Sequence, residues 1–118
     1  MAYYRYLEVS RHKDIAVAHF VEHTLVSDLA ISEAADELYS LAADEECRKL
    51  LLSFDGVKHL SSQMLAKLIS LDKYVKKNGG ELKLCEISPH VREIFALVRL
   101  DRLLDICDTK ATGLQAFT

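Results

Sequence analysis

The sequence has little proline and little glycine: one proline and four glycines stand among its 118 residues. Half of the residues are hydrophobic and 28% are charged. Disordered chains are poor in apolar residues, and collagen-like chains need glycine at every third position. The composition therefore excludes both classes. It predicts one globular domain over residues 1–118, a length whose hydrophobic core can support a fold.

Cysteine is also scarce, and Cys47, Cys85 and Cys107 are far apart in the sequence and set among apolar residues. An odd number of cysteines without Cys-x-x-Cys spacing does not suit a disulfide framework or a zinc site. The histidines are scattered, without the spacing of metal ligands. We therefore expect three reduced thiols that pack as small hydrophobic side chains, and no bound metal.

An excess of basic charge and long apolar runs are absent too. The formal net charge is −3, with acidic and basic residues interspersed, so the basic footprint of nucleic-acid binding is missing. No apolar run approaches the roughly 18 residues of a membrane-spanning helix. Residues 1–5 lack the apolar core of a signal peptide. Nor is there a Gly-rich nucleotide-binding fingerprint. We expect a cytoplasmic protein with no cofactor, no direct nucleic-acid partner and no membrane insertion.

The first half of the chain indicates a hairpin, a helix and a buried strand. The segments Tyr3 to Ser10 and Asp14 to Val21 are rich in aromatic and β-branched residues, which predicts two antiparallel strands. Ser32 is the predicted N-cap of a helix that ends at Ala43. The leucine-rich segment Lys49 to Phe54 is typical of a central strand buried on both faces. One face of the hairpin is expected to carry Leu7, Val9, Ile15, Val17 and His19.

The second half alternates helices with strands. The predicted elements are a helix from Ser62 to Lys77 that stops at Gly79-Gly80, a strand from Glu81 to Cys85, a helix capped by Ser88 and ending near Leu100, a strand from Leu103 to Cys107, and a short helix capped by Thr109. The element order predicts an α/β fold. Its sheet is mixed and mostly parallel, with an N-terminal antiparallel hairpin and about four helices.

The junction between the leucine-rich strand and the second helix is the most informative segment. It passes through Asp55-Gly56 to Ser61-Ser62, directly before an amphipathic helix. Two hydroxyl groups therefore lie where the unpaired N–H groups and the positive end of a helix dipole gather. A phosphate added at this position would be well placed electrostatically.

Three groups of segments together resemble the STAS domain of bacterial anti-sigma factor antagonists over nearly the whole chain. The first is Leu50 to Val57 together with Leu60-Ser61-Ser62, and the second is Gly79 to Cys85. The third runs from the segment Val91 to Phe95 on to the segment Leu100 to Leu103. In that family the loop typically reads Asp or Ser, then Ser, then Ser, Thr or Ala, then Gly-Leu-Gly, and a partner kinase phosphorylates its central serine. Ser62 falls on that position. Ser61 stands where many members have aspartate, and Met64 and Ala66 replace the two glycines.

The resemblance implies a protein that regulates transcription by switching partners. The unphosphorylated domain would bind an anti-sigma factor of the ATP-binding serine kinase type, so that the sigma factor is released, and phosphorylation would break the complex. On this interpretation Ser62 is the phosphorylation site, with Ser61 as second choice. The partner-binding residues would be Asp55, Gly56, His59, Ser61, Ser62, Gln63 and Met64.

Several alternatives stay open from the residues alone. Ser61 and Ser62 could be ordinary N-caps, and Met64 belongs by its spacing to the buried stripe of its helix. The domain could also be a non-phosphorylated scaffold or an accessory subunit of a sensory or lipid-transport complex. The cluster of Tyr3, Tyr4 and Tyr6 could cover the sheet or support a weak homodimer.

An enzyme is the competing class, because Asp55, His59 and Ser62 are the residue types of a hydrolase triad. A serine nucleophile on a strained turn would need the pattern Gly-x-Ser-x-Gly. The neighbours of Ser62 supply neither glycine. We therefore predict a binding protein with no catalytic residue.

Overall fold

The computed structural model describes residues 4–21, 24–25 and 27–117. Its strands are β1 (Leu7–His12), β2 (Ile15–Phe20), β3 (Thr24–Leu25), β4 (Lys49–Ser53), β5 (His59–Leu60), β6 (Glu81–Cys85) and β7 (Asp105–Ile106). Its α-helices are α1 (Asp28–Ala43), α2 (Ser62–Lys77), α3 (Pro89–Leu97) and α4 (Lys110–Ala116).

Five of the strands form one mixed sheet in the order β1-β2-β4-β6-β7. Only the β1–β2 hairpin is antiparallel, and the other three pairings in this sheet are parallel. β4 lies in the centre, and Leu50, Leu51 and Leu52 are each fully buried. The predicted α/β class, the mixed sheet, the hairpin and the doubly covered central strand are confirmed.

The two faces of the sheet are covered unequally. One face carries Leu50, Leu52 and the inner side chains of α1, α2 and α3, which form the larger hydrophobic cluster. The other face carries a small cluster of Ile15, Val17, Leu51 and Cys85. That cluster is covered by Leu114 of α4 and by Phe117. Three helices therefore lie on one face and the short C-terminal helix lies on the other.

The start of α1 and the face of the hairpin differ from prediction. α1 begins one turn before Ser32, because the Ser27 hydroxyl accepts a hydrogen bond of 3.1 Å from the Ala30 N–H and caps the helix. In the hairpin, Leu7 lies opposite Phe20. Odd-numbered residues of β1 therefore share a face with even-numbered residues of β2. The prediction that Leu7 shares a face with Ile15 is wrong.

Smaller differences concern element ends. α3 ends at Leu97 and is followed by a 3₁₀ turn, Leu100–Arg102, and β7 is shorter than the predicted strand. β3 and β5 form a two-residue parallel pairing that the sequence pattern did not predict. Tyr6 is buried in the larger cluster and Tyr4 packs against it, as expected of residues that cover the sheet. Tyr3, the predicted start of the hairpin, lies outside the described residues.

The C-terminal end of α2 depends on two glycines. Gly79 has φ +79°, and the Gly80 N–H donates to the Val75 carbonyl at 2.9 Å. A Cβ on Gly80 would lie 2.6 Å from the Arg48 carbonyl oxygen and 2.9 Å from Val75 Cγ1. That carbonyl accepts the Glu81 N–H at 2.8 Å, so it is held in place. Position 80 of this turn therefore has room only for glycine.

Gly80→Ala should consequently lower the free energy of unfolding by about 1–3 kcal/mol, the usual cost of overpacking. Urea unfolding measures this change. Gly79→Asn is the comparison, because its added Cβ meets only the tip of Arg48 at 3.9 Å and asparagine tolerates a positive φ. An unchanged midpoint for Gly80→Ala would contradict the close approach of the two backbones.

Burial of Cys85 should make stability depend on alkaline pH. Desolvation raises the pKa of this thiol from 9.0 to about 11. As pH rises, the unfolded chain therefore loses the Cys85 proton before the folded state does. The contribution of this thiol to the free energy of unfolding is fully present below pH 9.0 and is lost as pH rises to about 11. Unfolding free energies measured across this range should decline less steeply for Cys85→Ala than for the wild type. Equal slopes would contradict the raised pKa.

Candidate functional site at the start of α2

The candidate site lies at one edge of the sheet, where parallel strands end and helices begin. β4 ends at Ser53, and the loop that follows contains β5 and leads into α2. β6 ends at Cys85, and α3 begins four residues later at Pro89. Because β4 and β6 are parallel neighbours, the N-termini of α2 and α3 meet at the same edge. In open α/β sheets this edge is where ligands bind.

Ser61 and Ser62 have different environments. Ser61 is the N-cap: its hydroxyl accepts the Met64 N–H at 3.2 Å, and its carbonyl accepts the Leu65 N–H at 3.1 Å. Ser62 is the first helical residue, as predicted, and its side chain is exposed. Among the described residues, the Ser62 hydroxyl has no hydrogen-bond partner. Ser61 therefore holds the helix start, while Ser62 presents a free hydroxyl group.

This difference predicts different losses of stability for two alanine variants. Ser61→Ala should lower the free energy of unfolding by about 1 kcal/mol, because the Met64 N–H loses its cap. Ser62→Ala should change it by less than about 0.5 kcal/mol, as expected of an exposed position without such contacts. Thermal or urea unfolding of both variants measures the difference. Equal losses would show that the two hydroxyls share the capping role.

The loop before Ser61 is anchored by buried side chains and presents polar ones. Phe54 and Val57 are buried, and the Val57 N–H donates to the Phe54 carbonyl at 2.9 Å. Between them Asp55 and Gly56 form an exposed turn in which Gly56 has φ +84°. His59 is exposed as well. The structure thus places Asp55, Gly56 and His59 on the surface beside the start of α2.

Met64 does not belong to this surface. Its side chain is fully buried, among the inner residues of α2 that include Leu68 and Leu71. The expectation that Met64 contacts a partner is therefore wrong, and the alternative of a packing residue is confirmed. Gln63, directly before it, is exposed and stays on the candidate surface.

A second histidine extends the site to α3. The ring of His59 lies edge-to-face with that of His90, with 6.3 Å between the ring centroids. His90 is the second residue of α3 and is exposed, and Ser88 caps the helix by accepting the Val91 N–H at 3.3 Å. Sequence reasoning missed His90, because His59 and His90 are 31 positions apart and only the parallel strand order brings them together.

The residues of the alternative triad are not connected. Within residues 4–21, 24–25 and 27–117, no hydrogen bond joins His59 to Ser62 or to Asp55. The Asp55 N–H donates to the Ser53 hydroxyl, and His59 instead contacts His90. The geometry therefore offers an exposed contact surface with a free hydroxyl, without an assembled proton relay.

The described residues lack a candidate metal site and a membrane-spanning helix. They contain no group of three or more histidine, cysteine, aspartate or glutamate side chains that could hold a metal ion. None of their helices combines the length and the apolar character that crossing a bilayer requires.

Comparison with known proteins identifies the family. Residues 6–113 match the sequence model of the STAS domain. The chain belongs to the STAS domain family. BtrV of Bordetella bronchiseptica, which carries the name anti-sigma factor antagonist, is 26% identical over 92 residues, or 78% of this chain and 79% of that protein.

Two solved structures show the same fold. An anti-sigma factor antagonist from Mycobacterium paratuberculosis superposes with a TM-score of 0.81 at 19% identity, over 93% of this chain and 91% of the other. SpoIIAA, a Bacillus cell fate determinant solved in its phosphorylated form, gives a TM-score of 0.68 at 12% identity, over 92% and 96% of the two chains. The architecture of this STAS domain is therefore shared at low sequence identity.

Proposed function

We propose that this STAS domain is an anti-sigma factor antagonist that binds an anti-sigma factor of the ATP-binding serine kinase type. Binding would free the sigma factor held by that partner. The exposed hydroxyl of Ser62, at the first position of α2, is the observation that carries the proposal. The name of the relative BtrV supports the antagonist role.

The contact surface would consist of the loop before α2 and the first residues of the helix. The exposed residues Asp55, Gly56, His59, Ser62 and Gln63 form it, with the half-buried Ser61 between them. His90 joins this surface through its contact with His59. The domain would act by binding in the cytoplasm, without a catalytic residue of its own.

Phosphorylation of Ser62 would switch this surface off. The Ser62 oxygen would attack the γ-phosphorus of ATP held by the kinase, the bond to the β-phosphate oxygen would break, and the hydroxyl proton would pass to a base of the kinase. The product carries about −1.5 to −2 charge at neutral pH. The N-terminus of α2 accommodates that charge within the domain. In a protein interface the same charge costs desolvation, so the complex would dissociate.

A phosphorylation assay tests this mechanism directly. The purified domain is incubated with ATP and a kinase-type anti-sigma factor from the same genome, and the phosphate is located by peptide mass spectrometry. We expect one phosphate on Ser62, which is lost in Ser62→Ala and kept in Ser61→Ala. Transfer to Ser61 in the wild type would contradict the assignment, as would a stable complex in which no serine is modified.

A scaffold subunit is the second candidate, and the loop sequence favours it in one respect. Met64 and Ala66 stand where the loop of anti-sigma factor antagonists typically has glycines, and Met64 is fully buried. Glycine would permit the closest backbone approach by a partner. A scaffold should elute from native lysate in one large assembly, and Ser62→Glu should not change its elution. A switching antagonist should elute as a small protein that exchanges partners.

A further inference from the structure

Two of the three cysteines lie near each other where the neighbouring strands β6 and β7 end. In the parallel β6–β7 pair, Lys83 is opposite Asp105 and Leu84 is opposite Ile106. The pairing ends there: the Cys107 N–H donates to the Leu84 carbonyl at 2.7 Å and the Glu86 N–H donates to the Asp108 carbonyl at 3.3 Å, so Cys85 and Cys107 lie at the point where the two strands part. Cys107 packs against the small cluster that contains Cys85, and Leu114 of α4 packs against the same cluster.

The spacing of paired strands suits a disulfide. Neighbouring strands lie about 4.8 Å apart, and cystine bridges span Cα separations of about 4.4–6.8 Å. β7 has only two residues and lies at the edge of the sheet. A movement of this short edge strand that brings the two sulfurs into bonding distance would therefore disturb few backbone hydrogen bonds.

The two thiols differ in access. Cys85 is fully buried, whereas Cys107 is half-buried. Gly113 of α4 lies directly over Cys85: a Cβ at this glycine would be 3.6 Å from Cys85 Cβ and 2.8 Å from Leu51 Cδ1. This tight cover favours a small oxidant that can reach Cys107 and disfavours bulky disulfide reagents.

We propose that Cys85 and Cys107 form a peroxide-sensitive thiol pair that closes to a reversible disulfide. The Cys107 sulfur attacks a peroxide oxygen, the O–O bond breaks, and Cys107 becomes a sulfenic acid as one water leaves. The Cys85 sulfur then attacks the Cys107 sulfur, the S–O bond breaks, and the Cys85 proton leaves with the hydroxyl as a second water. Two thiols are oxidised while hydrogen peroxide is reduced to two water molecules.

The link would close a covalent loop around one part of the site. Residues 86–106 lie between the two cysteines and include all of α3, with Ser88 and His90 at its start. Glu86, which directly follows Cys85, has φ +56° and accepts the Lys110 N–H at 2.8 Å. Oxidation would therefore act on the junction that joins β6, α3 and α4.

Cys47 provides an internal control. It is buried in the larger cluster on the opposite face of the sheet, and burial raises the pKa of its thiol. It has no cysteine neighbour in that cluster among the described residues. It should remain a free thiol under conditions that join Cys85 to Cys107.

The test exposes the wild-type domain to hydrogen peroxide, denatures it, alkylates the remaining thiols and maps the peptides by mass spectrometry. We expect two of the three thiols to be lost in a Cys85–Cys107 cross-link, with Cys47 alkylated and all three thiols restored by a dithiol reductant. Cys47→Ser should still form the link, and Cys107→Ser should keep both remaining thiols.

Three results would overturn the proposal. They are retention of all three free thiols in the wild type, a disulfide between two chains in place of the internal link, and oxidation of Cys107 to sulfinic acid while Cys85 stays free. Each is read from the wild-type protein itself. The proposal therefore does not depend on whether a variant of the buried Cys85 folds.

Discussion

Ser62→Glu is expected to weaken binding of the anti-sigma factor by about 100-fold or more. A charge introduced into a closed protein contact costs several kcal/mol, and each 1.4 kcal/mol corresponds to a tenfold change in Kd. Ser62 is exposed at the centre of the proposed surface, between the loop that holds His59 and the exposed Gln63. Calorimetric titration of the purified pair measures the change.

Two controls separate this effect from damage to the fold. Ser62→Glu should leave the free energy of unfolding unchanged or raise it by about 0.3–1 kcal/mol, because a carboxylate in the first turn complements the helix dipole. Ser70→Glu makes the same chemical change at an exposed position of α2, about 12 Å farther along the helix axis. Its affinity should match the wild type. Full affinity in Ser62→Glu would contradict the proposed contact surface.

Phe95→Ala should lower the free energy of unfolding by about 3–5 kcal/mol, the usual range for a buried phenylalanine. Val91 and Phe95 are the fully buried side chains of α3, which has only nine residues. A helix of this length has little stability without its packing face. Since domains of this kind are stable by about 5–15 kcal/mol, the loss would be a large fraction of the total.

Leu97→Ala is the matched control on the same helix. Leu97 is 82% exposed, so its truncation should change stability by no more than about 0.5 kcal/mol. Urea unfolding followed by circular dichroism compares the two variants. Similar losses for both, or a loss below about 1 kcal/mol for Phe95→Ala, would contradict the packing of α3 on the sheet.

Local sequence signals predicted α2 completely. Ser61 and Ser62 at its start and Gly79 at its end are residues whose own chemistry favours helix termini, and both predicted bounds agree with the structure. α1 shows the limit of such signals. Ser27 and Ser32 are both residues that cap helices well, and the helix capped by Ser27 also buries Ile31 in the core.

Long-range features were harder to predict. The register of the hairpin, set by the turn at Lys13 and Asp14, decides whether Leu7 shares a face with Phe20 or with Ile15. Periodicity within one strand contains no information about that register.

The same limit applies to the candidate site. Its local parts, the loop and the serine pair, were visible in the sequence. Met64 follows Ser62 by only two residues, but its helical spacing to Leu68 and Leu71 places it in the core. His90 reaches the site only through the parallel order of β4 and β6. Contacts between segments far apart in sequence thus required the fold.

Capture of partners from native lysate tests the central claim most directly. Wild type, Ser62→Ala and Ser62→Glu serve as immobilised baits, and quantitative mass spectrometry identifies the retained proteins. We expect an ATP-binding, kinase-like protein to be retained by wild type and by Ser62→Ala and to be absent from Ser62→Glu. Retention of the same large assembly by all three baits would contradict the switch at Ser62.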